Sequence, residues 1–203
     1  MVRVKICGIT NLEDAQTALD AGADAIGFVF APSARRVTPR EAGRIARAVG
    51  PWISTVGVFV DEKIETLRKI AEACRLSAVQ LHGNENKDYL KAPASFKIIK
   101  AFRVADRRDF KGVANFPADA FLFDTKIKDR RGGTGVRFDW KLLKGKKWAR
   151  PAVISGGLTP ENVGTVVRLL APYGVDVSSG VEGSPGKKDG RLVRAFIKNA
   201  KNA

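Results

Sequence analysis

The chain has little cysteine and no long hydrophobic run. Cys7 and Cys74 are the only cysteines among 203 residues, too few for a disulfide framework and typical of a reducing compartment. No segment approaches the about 20 apolar residues that span a bilayer. Residues 1–6 alternate charged and apolar side chains, unlike the apolar core of a signal peptide. We therefore expect a cytoplasmic protein with no membrane partner.

Acidic residues are outnumbered by basic ones. The chain has 36 Lys and Arg against 21 Asp and Glu, a formal net charge of +15. Such an excess raises the question of nucleic acid, because phosphate binding depends on clustered positive charge. Here the basic residues are spread over several helical stretches, with no aromatic platform among them. We expect a solvated surface that attracts small anions, and no nucleic-acid partner.

Linkers and low-complexity tracts are also absent, and β-rich runs alternate with helical patterns along the whole chain. The predicted strands are Val2–Cys7, Ala25–Phe30, Thr55–Val60, Ala78–His82, Lys97–Phe102, Ala120–Asp124, Ala152–Ser155 and Val175–Ser178. The clearest predicted helices are Leu12–Ala21, Arg40–Val49, Ile64–Cys74 and Glu161–Leu170. Eight such units predict a single (β/α)8 TIM-barrel domain over residues 1–203. A doubly wound sheet is the alternative, but its G-x-G-x-x-G turn is missing after the first strand.

Helix starts are marked by capping residues. Thr10 and Thr38 each precede a glutamate by three residues, the spacing of a capping box. Pro39 and Pro160 each follow a threonine and are expected at the first helical position.

Cys7 ends the first strand, where the chain turns into a helix. Strand alternation puts Arg3, Lys5 and Cys7 on one face and the apolar residues on the other. The apolar face must meet the helices, so Cys7 is expected to point to the barrel axis at the catalytic end. The helix N-terminus and basic neighbours are expected to lower the pKa of this thiol. Cys74, at the end of an amphipathic helix, is interpreted as structural.

Asp124 ends the apolar segment 121–123, and its alternation with Phe123 directs it inward. An ordinary strand-end aspartate that caps the next loop is the alternative. The apolar strand beneath would desolvate the carboxyl group and favour a role as an acid. Cys7 and Asp124 together predict an acid/base pair at one end of the sheet.

Small-residue turns follow the last two strands. Gly156 and Gly157 follow the seventh strand, and Ser178, Ser179 and Gly180 follow the eighth. Small residues let backbone N–H groups approach phosphate oxygens, and these two loops are the usual phosphate site of barrels. The alternative is two plain tight turns.

Further polar residues accompany these turns. Arg35, after the second strand, can pair with a carboxylate. His82 is the only histidine, and a bond to backbone is as reasonable an interpretation as a catalytic role. Gly133 lies in a long basic loop that is a candidate lid. Lys5 should face the barrel interior, and because the eighth strand closes beside the first, we predict an ion pair with Asp176.

Several motifs together identify a family. They are Lys5-Ile-Cys-Gly-Ile-Thr, Gly27-Phe-Val-Phe, Ser33-Ala-Arg-Arg-Val, Gly57-Val-Phe-Val, Val79-Gln-Leu-His-Gly, Phe123-Asp-Thr, Gly132-Gly-Thr-Gly, Phe138-Asp-Trp, Ile154-Ser-Gly-Gly-Leu and Asp176-Val-Ser-Ser-Gly-Val-Glu. In this order and spacing, over essentially the full length, the chain resembles the phosphoribosylanthranilate isomerases of tryptophan biosynthesis.

The resemblance implies a cofactor-free Amadori rearrangement of N-(5-phosphoribosyl)anthranilate to 1-(2-carboxyphenylamino)-1-deoxyribulose 5-phosphate. It places Cys7 on the general base and Asp124 on the general acid. It also places Arg35, or its neighbour Arg36, opposite the anthranilate carboxylate. The turns at Gly156–Gly157 and 178–180 fall on the phosphate site. One departure is Val136, where the family often has lysine after Gly-Gly-Thr-Gly.

The predicted site therefore combines the acid/base pair, the phosphate turns and four substrate-binding residues, which are Arg35, His82, Gly133 and Asp176. We expect no metal and no cofactor, and a monomer or a homodimer. Alternatives are another phosphosugar barrel enzyme of tryptophan or histidine biosynthesis, or a non-catalytic anion or nucleic-acid binder.

Overall fold

Eight parallel strands form a closed barrel, as the sequence predicted. The computed structural model describes residues 1–90, 96–125 and 140–203. Each strand pairs with the next along the chain, and β8 closes onto β1 with Lys5 opposite Asp176. The strands are β1 (Arg3–Cys7), β2 (Ala25–Val29), β3 (Ser54–Phe59), β4 (Ala78–Leu81), β5 (Lys97–Val104), β6 (Ala120–Thr125), β7 (Ala152–Ile154) and β8 (Gly174–Val177). The (β/α)8 fold class is thereby confirmed.

The helical layer around the barrel is uneven. The α-helices in the described ranges are α1 (Leu12–Asp20), α2 (Pro39–Ala48), α3 (Ile64–Ala73), α4 (Val163–Leu170) and α5 (Gly190–Lys201). Between β4 and β7 the described helical segments are short 3₁₀ turns, at Lys87–Leu90, Arg107–Phe110, Val113–Asn115 and Trp140–Leu143. A hairpin of β9 (Glu182–Ser184) and β10 (Lys187–Lys188) follows β8 and a 3₁₀ turn at Ser179–Val181. None of the helices described has the length and apolar character of a membrane span.

Strand alternation places large aromatic side chains on the outer face of the barrel. On β6, Phe121 and Phe123 face outward, and both pack against Phe102 and Trp148. These rings cover the side of the barrel where the described helical segments are short. The aromatic packing on this side therefore lies outside the strands, whereas Leu122 shares the inward face of β6 with Asp124.

Two of the predicted helix starts are wrong. A long-range hydrogen bond explains the first, at Thr10, and local hydrogen bonds of Asn162 explain the second, at Pro160. The Thr38 capping box is present, with Pro39 at the start of α2. At α1 the cap is Asn11, because the Thr10 hydroxyl instead donates to the Gly186 carbonyl at 2.7 Å. Pro160 lies in a turn before α4, where the Asn162 amide bonds to the backbone of residues 157 and 159.

Candidate active site

Cys7 is the last residue of β1, and its side chain points into the barrel. The residue is only 7% exposed, and the charge of the nearby Lys5 ammonium group acts on its sulfur. On the neighbouring strand, Gly27 leaves room for both side chains. A Cβ at Gly27 would lie 2.8 Å from Cys7 Sγ and 3.0 Å from Lys5 Cε. The predicted direction of Cys7 therefore agrees with its contacts.

The expected lowering of the Cys7 pKa is wrong. Burial removes the thiolate from water and raises the pKa of Cys7 above its usual value, and the nearby Asp176 carboxylate raises it further. Lys5 and Lys188 act in the opposite direction, but they do not overcome burial. The sequence pattern indicated the basic neighbours and did not indicate how completely the thiol is enclosed.

The predicted ion pair between Lys5 and Asp176 is present inside the barrel. Lys5 Nζ lies 3.0 Å from Asp176 Oδ1, and both side chains are less than one-tenth exposed. Ser155, directly after β7, donates to the other Asp176 oxygen at 3.1 Å. Although burial opposes the charged form, Asp176 and Cys7 hold the pKa of Lys5 above its usual value. Lys5 is therefore an ammonium ion fixed beside the Cys7 sulfur.

Asp124 and His82 form a pair at the same end of the barrel. His82, which follows β4, places Nε2 3.0 Å from Asp124 Oδ2 on β6. Its other ring nitrogen, Nδ1, lies 2.8 Å from the side-chain nitrogen of Gln80, and the His82 carbonyl accepts a bond from Arg103. Both members of the pair are partly exposed, His82 by 19% and Asp124 by 25% of the side chain. They are thus held in place while remaining accessible to a small molecule.

Arg35 lies across the turn after β1, beside Cys7. Its side chain passes so close to Gly8 that a Cβ there would lie 2.7 Å from Arg35 Cδ. Its Nε and Nη2 atoms donate to the two carboxylate oxygens of Glu182, each at 2.7 Å. The buried Lys188 donates to the same carboxylate at 2.9 Å. Glu182 therefore orients the guanidinium, whose Nη1 group takes no part in this bidentate pair.

Arg36, the alternative to Arg35, is exposed, and it forms an isolated backbone bridge with Val29. The geometry therefore favours Arg35 as the arginine of the site.

The two small-residue turns after β7 and β8 lie against each other. Gly156 and Gly157 have φ values of 79° and 66°, in the left-handed region that favours glycine. Gly180 packs directly on the Leu158 carbonyl oxygen, where a Cβ would collide. In the described part of the chain, the buried Ser178 Oγ has no hydrogen-bond partner. A buried hydroxyl beside two glycine turns fits a site for an oxyanion.

Four residues of the site were missed by the sequence interpretation. They are Gly27, Gln80, Glu182 and Lys188. Strand alternation puts Gln80 and Ala78 on the inward face of β4. A polar residue at such an inward position could have indicated that Gln80 belongs to the site. Lys188 and Glu182 lie in the hairpin after β8, and only their contacts associate them with Arg35. Gly133 lies outside the described residues, which hold no cluster of His, Cys, Asp or Glu able to bind a metal ion.

A closed parallel barrel with a thiol, a histidine–carboxylate pair and an oriented arginine at the carboxyl ends of its strands defines a (β/α)8-barrel enzyme. Comparison with known proteins identifies its family. Residues 4–199 match the family model for N-(5'-phosphoribosyl)anthranilate isomerase. The chain belongs to this family.

Individual relatives agree over the full length. The N-(5'-phosphoribosyl)anthranilate isomerase of Desulforudis audaxviator is 49% identical over 205 residues, all of both chains. The crystal structure of phosphoribosyl anthranilate isomerase from Thermotoga maritima matches with a TM-score of 0.92 and 46% identity, again over all of both chains. A solved isomerase in complex with reduced 1-(o-carboxyphenylamino)-1-deoxyribulose 5-phosphate matches with a TM-score of 0.88 and 44% identity over all of both chains. The predicted family is confirmed, and the chain is an isomerase of tryptophan biosynthesis.

Proposed function

We propose that Cys7 is the general base and Asp124 the general acid of the Amadori rearrangement of N-(5'-phosphoribosyl)anthranilate. Asp124 gives a proton to the ribose ring oxygen, the bond from C1′ to that oxygen breaks, and the nitrogen lone pair forms a Schiff base. Cys7 then removes the proton on C2′ and leaves an enolamine. Tautomerisation, with a proton returned to C1′, gives the ketone. Atoms balance without an oxidant, reductant or cofactor.

One observation carries this assignment. The inward thiol of Cys7, beside Lys5, lies at the same end of the barrel as the Asp124–His82 pair. Proton removal and proton donation on one sugar need two titratable groups that face the same space. Lys5 and Lys188 add the positive charge that favours the thiolate when Cys7 loses its proton.

Recognition of the two charged ends of the substrate is divided between the loops. The Arg35 guanidinium, oriented by Glu182, faces the anthranilate carboxylate, which a planar fork of N–H donors suits. The phosphate lies against the turns at Gly156–Gly157 and 178–180. The buried Ser178 Oγ is a hydroxyl donor available to a phosphate oxygen. His82 contacts the substrate beside Asp124.

Other expectations stay predictions. A substrate contact of Asp176 is one, although both its oxygens already accept bonds from Lys5 and Ser155. A contact of Gly133 is another. Four further expectations also stay predictions: the single domain over residues 1–203, the monomer or homodimer, the cytoplasmic location and the absence of a nucleic-acid partner.

The decisive experiment is turnover of phosphoribosylanthranilate, generated in situ, by the wild type and by Cys7→Ser and Asp124→Asn. Both variants keep the shape of the side chain, so we expect folded proteins whose kcat falls by at least about 10²-fold, the usual contribution of a general acid or base. The matched control is Cys74→Ser, at the other cysteine, which should leave kcat nearly unchanged. Full turnover by either site variant would refute its assigned role.

A further inference from the structure

A continuous chain of hydrogen bonds crosses the barrel interior from Lys5, beside Cys7, to Asp124. Lys5 Nζ, whose charge acts on the neighbouring Cys7 sulfur, donates to Gln80 Oε1 at 2.8 Å. Gln80 Nε2 lies 2.8 Å from His82 Nδ1, and His82 Nε2 lies 3.0 Å from Asp124 Oδ2. Gln80 is 1% exposed, so water does not substitute for these bonds. The chain thus leads from the ammonium group beside the proposed base to the proposed acid.

The ammonium group of Lys5 sets the direction of every bond in this chain. An ammonium ion has only donors, so the side-chain atom of Gln80 that faces it must be the carbonyl oxygen. The Gln80 amide nitrogen then faces His82, and it can only donate. His82 Nδ1 must therefore accept, which leaves the ring proton on Nε2. A second proton on Nδ1 would point at an N–H group of Gln80.

The direction of these hydrogen bonds affects whether Asp124 can keep a proton for the substrate. A neutral His82 with its proton on Nε2 donates to Asp124 Oδ2 without adding a positive charge beside the carboxyl group. An imidazolium ion at the same place would favour the carboxylate and remove the proton that the acid step needs. The opposite tautomer would accept a proton from Asp124 and divert it from the substrate.

We infer that Gln80, oriented by Lys5, is a positioning residue that holds His82 as the neutral Nε2–H tautomer, so that His82 neither places a positive charge beside Asp124 nor accepts its proton. The inference rests on the proposed role of Asp124 as the general acid. Gln80 touches neither the substrate nor the reacting atoms in this scheme. It acts through His82 alone.

The wild-type protein provides the first test, because His82 is the only histidine of the chain. Two-bond correlations between the ring carbon protons and the two ¹⁵N nuclei of labelled histidine report which nitrogen carries the proton. We expect Nε2 to be protonated and Nδ1 to be unprotonated at neutral pH. A proton on Nδ1 in the wild type would overturn the inference without any variant having to fold.

Gln80→Glu reverses one end of the chain. Its carboxylate accepts from Lys5 with one oxygen and presents the other to His82 Nδ1, so we expect that nitrogen to become protonated. kcat should fall about 10²-fold, the scale of a lost general acid, with KM changed by less than about threefold. In Gln80→Met, which offers Nδ1 no donor, we expect a mixture of the two tautomers. An unchanged Nε2–H signal in Gln80→Met would overturn the role of Gln80.

Gln16→Glu is the matched control, because Gln16 is the other glutamine of the chain and is exposed. It makes the same chemical change and should leave both the spectrum and kcat at wild-type values. A Gln80→Glu protein indistinguishable from this control would refute the inference. If Asp124→Asn loses turnover but His82 of the wild-type protein carries its proton on Nδ1, only the tautomer argument is refuted. Full turnover by Asp124→Asn would instead refute the proposed acid.

Discussion

Two lysines on barrel strands each form a buried ion pair, and they serve different regions of the molecule. Lys5 on β1 pairs with Asp176 inside the barrel at 3.0 Å. Lys100 on β5 pairs with Glu85 at 2.6 Å, with side chains 5% and 1% exposed, and also donates to the Gly83 carbonyl. Lys100 lies on the outer face, 5.8 Å from the ring of Phe116.

The surroundings of the two pairs explain the difference. Glu85 also accepts from the backbone N–H groups of Asp61 and Gly83, so the outer pair holds the loops after β3 and β4 where the described helical segment is a short 3₁₀ turn. The inner pair lies beside Cys7, the proposed base, and Lys5 donates to Gln80, which leads through His82 to Asp124. The same kind of ion pair thus supports the fold on the outer face of the barrel and the site on the inner face.

The largest expected effect separates the two pairs by activity. Lys5→Met and Lys100→Met each leave a buried carboxylate unpaired and should lower the free energy of unfolding by about 3–5 kcal/mol. Only Lys5→Met should also lower kcat, by about 10²-fold or more, because it removes the positive charge beside Cys7 and the donor to Gln80. Denaturant unfolding and turnover of the folded fraction measure the two quantities.

Double variants sharpen this comparison. Lys5→Met/Asp176→Asn and Lys100→Met/Glu85→Gln remove both charges of each pair but keep an oxygen for the remaining donors. We expect both to regain most of the lost stability. The outer variant should have wild-type kcat and the inner one should not. Wild-type kcat in the inner variant would show that its pair serves the fold alone.

Two glycines provide a smaller test of the same division. Gly27→Ala puts a methyl group against Cys7 Sγ and Lys5 Cε on the inner face, and should lower kcat about 10–10²-fold by displacing the thiol. Gly57→Ala puts one against Leu76 on the outer face, and should lower the free energy of unfolding by about 1–3 kcal/mol with kcat retained. Equal effects of the two variants on kcat would remove the distinction.

The smallest expected effect concerns the two cysteines. Burial raises the pKa of both thiols, but Lys5 and Lys188 act on Cys7, whereas Cys74 donates to the Pro39 carbonyl. Lys188→Met should raise the pKa of Cys7 further and leave that of Cys74 unchanged. Titration of ¹³Cβ-labelled cysteine by NMR follows each thiol separately. Equal displacement of both titrations would contradict the assignment of Lys188.

The raised pKa of Cys7 predicts how stability and activity change with pH. The folded protein keeps this proton at pH values where the unfolded chain has lost it, so folding binds protons there. The stability that Cys7 contributes is complete below the ordinary thiol pKa and is lost as pH rises through the folded value. Over the same range kcat/KM should rise, as the thiolate forms. A Cys7→Ser protein with the same pH dependence of unfolding would contradict this expectation.

Much of the barrel was predictable because its signals are local. Alternation of apolar residues located the eight strands to within one or two residues, and Thr38 with Glu41 marked the start of α2. The prediction failed at Thr10, whose hydroxyl bonds to Gly186, 176 positions along the chain. A capping pattern indicates which bond is available locally and does not indicate a distant competitor.

The site was predictable where strand parity and barrel closure act together. They predicted that Lys5 would meet Asp176, and the pair is present. They did not predict that Gln80 joins Lys5 to His82, since β1 and β4 are not neighbours in the sheet. Such a contact depends on side chains that meet across the barrel interior, where no sequence period reports on the distance.

The amino-acid sequence by itself determined the closed barrel, the family, the inward direction of Cys7 and the pairing of Lys5 with Asp176. These follow from periodicity, from parity and from the order of motifs along the chain. Only the tertiary structure decided the direction in which the pKa of Cys7 is shifted, the bidentate ion pair of Glu182 with Arg35 and the bonds between Gln80, His82 and Asp124. Burial and hydrogen-bond direction depend on every group that surrounds an atom, and those groups come from strands and loops far apart in sequence.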